Sequence, residues 1–316
     1  MSRVRLAVLI GACVLGTVDA RAQAWLPAKD TTTLSFGYQY LFIKQHVLAR
    51  GEIVERGHIK SHYGVMQLGY SPTDRVAFSL AVPYVAAKYH GPSPHQLPFD
   101  NGTYHGTWQD YRLDARYQLL RGPTAFTPFI SMLIPSHNYT YFAHSAAGRD
   151  LHENTLGFYA GVADLLGHFR SCGCPTGTYV QSRVAYSLVE HVLGRRIDHA
   201  DVDLDLGYFA TERFGVRALA SYGRTIGGVD WNYQWPDYNS PVFLHHDQLL
   251  ANRHFNVGGG ANYAVSDRFD VYTSVLHTLS GRNGHKIHVA ANFGVGWSFA
   301  PRRSDIASLP LRSGRN

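Results

Sequence analysis

The C-terminal part of the chain contains a long stretch in which every second residue is apolar. In residues 287–299, IHVAANFGVGWSF, one set of alternate positions is aliphatic or aromatic, and the other holds histidine, asparagine, serine, alanine and glycine. A period of two is typical of a β-strand with one apolar face and one small or polar face. At ~3.3 Å per residue this stretch reaches roughly 43 Å, well beyond the ~17–20 Å of an ordinary strand.

The same alternation recurs along the chain and predicts twelve strands. Clear examples are residues 34–42, 76–84, 111–119 and 202–208. The connections alternate between short turns, such as residues 71–75, and long loops, such as residues 227–251. An even number of strands with tight turns on one side and long loops on the other predicts an up-and-down antiparallel β-barrel.

The residues between the apolar positions indicate what each face contacts. They include many aspartates and arginines, which favour a wet lumen, so the continuous apolar face is expected to contact lipid. Tyrosines recur near the short-turn ends of the strands and predict an aromatic girdle at a membrane interface: Tyr70, Tyr117, Tyr208 and Tyr263. We therefore expect an all-β transmembrane barrel in the outer membrane of a Gram-negative cell.

The N-terminal residues have the pattern of a secretory signal peptide. Arg3 and Arg5 precede an apolar run at residues 6–16, and Ala22-Gln23-Ala24 supplies small residues at a cleavage site. The predicted organisation is then a signal peptide at residues 1–24, the barrel at residues 25–299 and a periplasmic tail at residues 300–316.

Net charge and cysteine content limit the kinds of partner and ligand that the chain is expected to bind. Part of the net charge of +6 belongs to the predicted signal peptide, and the charge of the remaining chain is too small to indicate a nucleic-acid partner. Cys172 and Cys174 are separated by one residue, so a bridge between them would be strained, and with His168 they give only three metal ligands. No cofactor, metal or energy-coupling motif is predicted.

Two segments resemble a known family. Residues 71–85, SPTDRVAFSLAVPYV, and residues 107–136, TWQDYRLDARYQLLRGPTAFTPFISMLIPS, are similar to the meta-pathway phenol degradation family of outer-membrane transporters. The similarity rests on the TDR turn, on Asp110, on Arg116-Tyr117 and on Pro135. It implies uptake of small molecules, aromatic or apolar compounds among them, but it carries over no functional residue.

The last strand also resembles the C-terminal strand that the outer-membrane insertion machinery recognises. It closes on an aromatic residue, Phe299, as such strands do. It differs in being followed by seventeen further residues. The insertion machinery and outer-membrane lipid are therefore expected partners, together with a small-molecule solute.

Charged residues on the predicted inner face are candidates for lining the lumen. They are Asp110, Arg112, Asp114, Arg116, Arg183, Asp201, Asp203, Asp205 and Arg217, with His288 and Asn292 on the last strand. Pairing around the turns is expected to bring Arg183 and Arg217 to either side of Asp205. Two interpretations remain open: a charged constriction that selects solutes, or a cluster of ion pairs that balances charge in a narrow lumen.

The long loop at residues 227–251 offers a second set of candidates. Its aromatic and histidine side chains are expected to contact solute at the extracellular side: Trp231, Tyr233, Trp235, Tyr238, His245 and His246. The alternative is an outer girdle and a loop that packs on itself.

A passive channel or transporter for small molecules is the predicted function. One alternative is a structural or adhesive barrel with a plugged lumen. Another is an outer-membrane lipid hydrolase, because HTLSGRNG offers His277, Ser280 and Asn283. His277 and Ser280 have opposite strand parity, which opposes a nucleophile–base pair, so no enzymatic activity is predicted.

Overall fold

The structure is a computed structural model that describes residues 24–91, 99–165, 177–230 and 240–300. Strands make up nearly all of its regular structure. The strands are β1 (Thr31–Val47), β2 (Ile53–Thr73), β3 (Val76–His90), β4 (His105–Trp108), β5 (Tyr111–Tyr117), β6 (Thr124–Ile134), β7 (Glu153–Ala163), β8 (Thr178–Val189), β9 (Ile197–Phe209), β10 (Phe214–Gly227), β11 (Arg253–Ser266), β12 (Phe269–Arg282) and β13 (Gly284–Phe299). Two short helices, α1 (Pro241–Leu244) and α2 (His246–Leu249), lie between β10 and β11.

All strands belong to one closed antiparallel sheet. Each strand pairs with its sequence neighbours, except that β4 and β5 do not pair with each other. β1 pairs with β13 from Thr32–Phe299 to Val47–Gly284, which closes the barrel. The short β4 and β5 both pair with β3 and form a single strand interrupted at residues 109–110. The barrel therefore has twelve strands around its circumference, and the predicted fold is confirmed.

The outer surface of the barrel is apolar. Large aliphatic and aromatic side chains alternate with inward-facing polar ones, so that Leu204 is 45% exposed whereas Asp205 beside it is buried. Similar exposed positions occur on strands all around the barrel, among them Phe36, Leu68, Ile130 and Leu156. A water-soluble barrel would not present this continuous apolar surface, and a lipid environment accounts for it.

The two ends of the barrel differ. Turns such as residues 74–75 and 267–268 are short, whereas the connections at residues 135–152 and 228–252 are long. β1 begins and β13 ends at the short-turn end, which is the periplasmic end in barrels of this kind. The predicted girdle tyrosines Tyr70, Tyr117 and Tyr263 are exposed at that end.

The long connection after β10 contains both helices. Ser240 accepts a hydrogen bond from the Phe243 amide at 3.3 Å, and Pro241 begins the first turn, as is usual for a helix N-terminus. No helix in the described ranges is long and apolar enough to cross a membrane.

A β-bulge changes which residues of β13 face the lumen. Ala290 lies opposite Leu41 and Val289 opposite Phe42, but Ile43 lies opposite Ile287, so His288 is an extra residue. The prediction that His288 lines the lumen is therefore wrong. Ile287 is buried, while His288 is exposed on the outside next to the Phe42 ring. The inserted residue reverses the alternation, which a strict period of two cannot anticipate.

We predict that a charge on the lipid face is harmful in proportion to its depth. Leu204 lies five residues from the periplasmic end of β9, near the middle of the membrane. Leu204→Arg should lower the free energy of unfolding by about 2–4 kcal/mol. Ala210→Arg, at the periplasmic interface, adds the same charge and should cost only about 0–1 kcal/mol. Unfolding in lipid vesicles measures the stability of both variants, and heat-modifiable migration verifies that each variant folds. Equal stability of the two would contradict the assigned facing.

Candidate functional site

The inner face of β5–β10 carries paired charges and is called the charged wall below. The Arg112 Nε lies 3.1 Å from Asp114 Oδ1, and an Arg183 Nη1 lies 3.1 Å from Asp203 Oδ2. Arg217 Nη1 lies 3.5 Å from Asp205 Oδ2. Each of these arginine side chains is largely buried and is matched by one carboxylate, so much of the charge is balanced locally.

The register places Arg183 differently from the prediction. Arg217 lies opposite Gly207, as expected, but Arg183 lies opposite Asp203 and Gln181 lies opposite Asp205. The β8–β9 hairpin closes through a tight turn in which Val192 and Arg195 bond to each other, so β9 starts earlier than the sequence suggested. The expectation that Asp205 lies between two arginines is therefore wrong.

Asp205 instead has one arginine and two neutral donors. Gln181 Nε2 donates to it at 3.1 Å, and the Tyr179 hydroxyl donates at 3.3 Å. Arg217 Nη1 donates a third hydrogen bond to Asp205, at 3.5 Å. The carboxylate is thus held in place by three side chains from β8 and β10, an arrangement that fixes a negative charge on the charged wall.

The other inner-face candidates have separate environments. Asp110 accepts a 2.5 Å hydrogen bond from the Tyr139 hydroxyl, and Arg116 donates to Ser79 Oγ at 3.4 Å. Asp201 is buried and has no salt bridge to any described residue. Asn292 lies on the opposite side of the barrel, where it accepts from Gln39 at 2.7 Å.

Towards the extracellular end, the inner face of β1–β3 and β13 is mainly apolar, and this part is called the apolar wall below. Its buried side chains include Ile43, Ile59, Val85, Ala87 and Ala290. Ile43, Ile59 and Ala290 form one packed cluster with Ile287 and Tyr89. Because β2 lies across the barrel from β8, the lumen has a charged side facing an apolar side.

The long loop at residues 135–152 folds into the extracellular mouth. Tyr139, Phe142 and His144 are buried in it, and Tyr139 reaches Asp110 on the barrel wall. Burial raises the pKa of the Tyr139 phenol, and the adjacent Asp110 carboxylate raises it further, so the hydroxyl remains a donor. This loop is called the inner loop below.

Arg149 connects the inner loop to its surroundings. Its guanidinium lies 3.5 Å from Glu153 Oε1, contacts the His199 imidazole and donates to the Gln248 carbonyl at 3.2 Å. Gln248 Nε2 returns a 2.6 Å bond to the Arg149 carbonyl. Burial lowers the pKa of Arg149, which Glu153 partly offsets. One buried cation thus joins β7, β9 and α2.

The helical connection packs against the inner loop. Phe243 and Phe142 meet edge to face, with ring centroids 6.0 Å apart, in a cluster with Leu48 and Leu250. The two long connections therefore fill the extracellular mouth together.

The histidines predicted to contact solute belong to this packing. His245 stacks on Tyr141, with centroids 5.2 Å apart, and bonds Gln248 Oε1 at 2.7 Å. His246 has no exposed surface and stacks on Phe243, which corrects its expected role as a solute contact in an exposed loop. The remaining loop candidates lie outside the described residues: Trp231, Tyr233, Trp235 and Tyr238.

The segment before β1 enters the periplasmic mouth. The Ala24 amide donates to Gln181 at 3.2 Å, and its carbonyl accepts from Thr127 at 2.7 Å. Trp25 Nε1 donates to the Gly122 carbonyl at 2.8 Å. A cavity of about 310 Å³ lies beside this segment, with Trp25, Arg116 and Tyr272 among its lining residues. The predicted signal-peptide boundary after Ala24 stays a prediction.

Sequence reasoning missed the residues that hold the inner loop. Tyr139, Arg149, Glu153 and His199 come from one loop and two strand ends that only the folded barrel brings together. One signal was available: residues 139–147, YTYFAHSAA, are more apolar and aromatic than an exposed loop requires.

The residues considered for a hydrolase do not assemble. His277 Nδ1 contacts the His288 carbonyl on the outside of the barrel at 2.9 Å. Asn283 is buried and donates to Asp230 Oδ1 and the Ala251 carbonyl. Among the described residues, no group of three histidine, cysteine, aspartate or glutamate side chains is arranged to hold a metal ion.

Comparison with solved structures identifies the fold. The barrel is similar to the COG4313 outer membrane channel from Pseudomonas putida F1, with a TM-score of 0.67 at 14% identity, covering 88% of this chain and 99% of that one. The translocator domain of the autotransporter NalP from Neisseria meningitidis gives a TM-score of 0.49 at 12% identity, covering 86% of this chain and 90% of that one. No protein-family model matches the sequence, and no curated protein matches it.

The fold and the apolar outer surface locate the chain in the outer membrane. The resemblance to the phenol degradation family stays a prediction, because no family model matches.

We predict that the buried ion pair keeps the inner loop inside the barrel. The double variant Arg149→Met with Glu153→Gln removes both charges, so no unpaired charge remains buried. The loop then loses the side-chain contacts of residue 149 with Glu153, His199 and the Gln248 carbonyl, so ion conductance through the refolded barrel in a planar bilayer should rise at least about twofold. Arg195→Met, at an exposed turn, is the matched control and should leave conductance unchanged. A double variant that conducts like the wild type would contradict this role.

Proposed function

We propose that the protein is a passive outer-membrane channel for small amphipathic solutes, aromatic compounds among them. The observation that carries this proposal is the division of the lumen into a charged wall and an apolar wall. A solute with one apolar part and one polar or ionisable group can contact both walls at once. A lumen that served only water and inorganic ions would have no use for the buried aliphatic side chains of β1–β3 and β13.

The charged wall would orient the polar end of the solute. Asp205 is held by Gln181, Tyr179 and Arg217, and Arg183 bonds Asp203 across the same surface. Fixed dipoles and charges of both signs can bind a hydroxyl or carboxylate while net charge stays close to balance. Binding of this kind is weak at each site, which permits release and onward movement.

The apolar wall would receive the hydrocarbon part of the solute. Ile43, Ile59 and Val85 line this wall but are only 3%, 2% and 6% exposed, so a solute would reach them once the inner loop moves aside. Contact with such aliphatic surface stabilises a bound solute by roughly 25 cal/mol per Å² removed from water. The cavity of about 310 Å³ at the periplasmic end has a volume suited to a compound of one or two rings. The resemblance to the phenol degradation family and the likeness to an outer membrane channel support the same solute class and role.

A second candidate is a structural barrel with a plugged lumen. The inner loop and the helical connection fill the extracellular mouth, and the segment before β1 narrows the periplasmic mouth. If these segments stay in place, the barrel does not conduct. The two candidates differ in whether the loops move.

A planar-bilayer recording of the refolded protein tests the proposal. We expect discrete conductance steps that benzoate and phenol block in the millimolar range and that short sugars block at least about tenfold less, because sugars gain little from the apolar wall. A folded, heat-modifiable barrel without any steps would favour the plugged structural barrel. Steps blocked equally by sugars would contradict the amphipathic solute class.

We predict that Asp205 contributes to ion selectivity. Asp205→Asn removes a carboxylate and leaves Arg217 without its partner, so the reversal potential in a salt gradient should shift towards anion preference. Asp267→Asn at an exposed periplasmic turn removes the same charge away from the lumen and is the control. An identical reversal potential for both variants would make Asp205 a structural member of the ion-pair group only.

A further inference from the structure

We propose that the outer surface of the barrel binds the phosphate-bearing glycolipid of the outer leaflet along one side. Five outward-facing cations at the extracellular ends of β2, β3, β10, β11 and β13 form the candidate surface, called the basic belt below. They are Lys60, Lys88, Arg224, Arg253 and Lys286. The charged wall lies inside the barrel, so this surface is separate from the proposed channel and does not rest on it.

The cations of the basic belt lie next to each other without neutralising partners. Lys60 is directly opposite Lys88, and Arg224 is directly opposite Arg253. Like charges in facing positions of a sheet are destabilising unless an anion lies between them. No carboxylate among the described residues forms a salt bridge with any of the five.

The two cations that complete the row are neutralised within the chain. Lys44 on β1 lies 3.2 Å from Glu55 Oε2, and Arg282 on β12 lies 2.7 Å from Asp230 Oδ2. Seven neighbouring strands from β10 round to β3 thus present a cation outward, and five of these cations lack a described carboxylate. The excess charge is therefore positive along one side of the barrel, with the neutralised Lys44 and Arg282 lying between the unpaired cations.

The other side of the barrel lacks this feature. Near the extracellular ends of β4, β7, β8 and β9 the outward-facing residues are neutral, namely Trp108, Asn154, Leu188 and Ala200. The cations on this side, Arg195 and Arg196, lie in the β8–β9 turn beyond the strands, and Asp198 neutralises Arg196. A general preference for positive charge near the membrane surface would affect all strands alike. The one-sided distribution instead indicates a partner that lies along β10–β13 and β1–β3.

The height of the basic belt matches the outer membrane surface. Four of its cations lie ten residues along their strands from an exposed aromatic side chain at the periplasmic end: Lys60 from Tyr70, Lys88 from Phe78, Arg253 from Tyr263 and Arg224 from Phe214. Ten residues at ~3.3 Å with a strand tilt of ~40° rise about 25 Å, the height of the apolar band of such barrels. The cations therefore lie at the level of the outer-leaflet headgroups.

Phosphate is the group that suits these side chains. Arginine and lysine bind phosphate oxygens through charge-assisted hydrogen bonds, and two facing cations can share one phosphate. The imidazole rings of His58 and His90, 5.4 Å apart beside the lysine pair, add further N–H donors. The exposed aliphatic side chains below the belt offer a surface for acyl chains, so one lipid molecule can satisfy both regions.

Binding of diphosphoryl lipid A to the full chain, refolded in uncharged detergent micelles, tests the proposal. The variant Lys60→Gln, Lys88→Gln, Arg224→Gln and Arg253→Gln removes four belt cations. The control Arg75→Gln, Arg121→Gln, Arg213→Gln and Arg268→Gln removes four exposed arginines at the periplasmic end. Native mass spectrometry counts the bound lipid, and heat-modifiable migration verifies folding of each variant.

We expect the wild type and the periplasmic control to bind lipid A with equal affinity and the belt variant to bind at least about 10-fold more weakly. Lipid A without its phosphates should bind the wild type as weakly as intact lipid A binds the belt variant. Equal binding by the belt variant, or no binding by the wild type, would overturn the proposal. Displacement of the lipid by millimolar inorganic phosphate would also overturn it, since the belt would then be a site for the free ion.

A smaller variant keeps the test valid if the fourfold change impairs folding. Lys60→Gln with Lys88→Gln should weaken lipid binding several-fold, and Lys60→Arg with Lys88→Arg should retain it. Loss of binding in the arginine variant would contradict recognition through charge and phosphate contacts.

Discussion

Pairing of the backbone between β1 and β13 is the constraint on which the rest of the structure depends. An unpaired peptide group in hydrocarbon costs several kcal/mol, so a membrane sheet must close on itself. Closure commits every strand to one lipid face and one lumen face. The apolar outer surface, the inner charges and the level of the basic belt all follow from this division.

The closed barrel then sets the conditions for its interior. Arginines and aspartates enclosed in a narrow lumen must find partners, and neighbouring strands supply them in register, as Arg217 does for Asp205. Apolar side chains on β1–β3 need no partners and pack with each other. The extracellular mouth contains loops with aromatic side chains, which are held by the buried cation Arg149, by the Tyr139–Asp110 hydrogen bond and by the contact of Phe142 with Phe243. The lumen is therefore chemically two-sided, and the loops occupy its extracellular mouth.

The fold could be predicted because a period of two and the alternation of turn lengths are local signals that survive in a single sequence. The inward placement of Asp201, Asp203 and Asp205 follows from the same period. Two kinds of information cannot be read from the sequence. The tight turn before β9 and the bulge at His288 depend on single-residue shifts in pairing, which reverse facing or change partners without altering composition. The Arg149 site depends on contacts between a loop and distant strands, which no local pattern specifies.

The facing of β13 tests the closed barrel and its division into two faces, since this strand closes the sheet and contains the bulge. Spin labels placed one at a time at residues 285–297 would be measured for collision with oxygen, which concentrates in lipid, and with a polar nickel chelate. The bulged strand predicts oxygen access at residues 288, 289, 291 and 293, with protection at residues 287, 290 and 292. An unbroken alternation through residues 287–290 would contradict it.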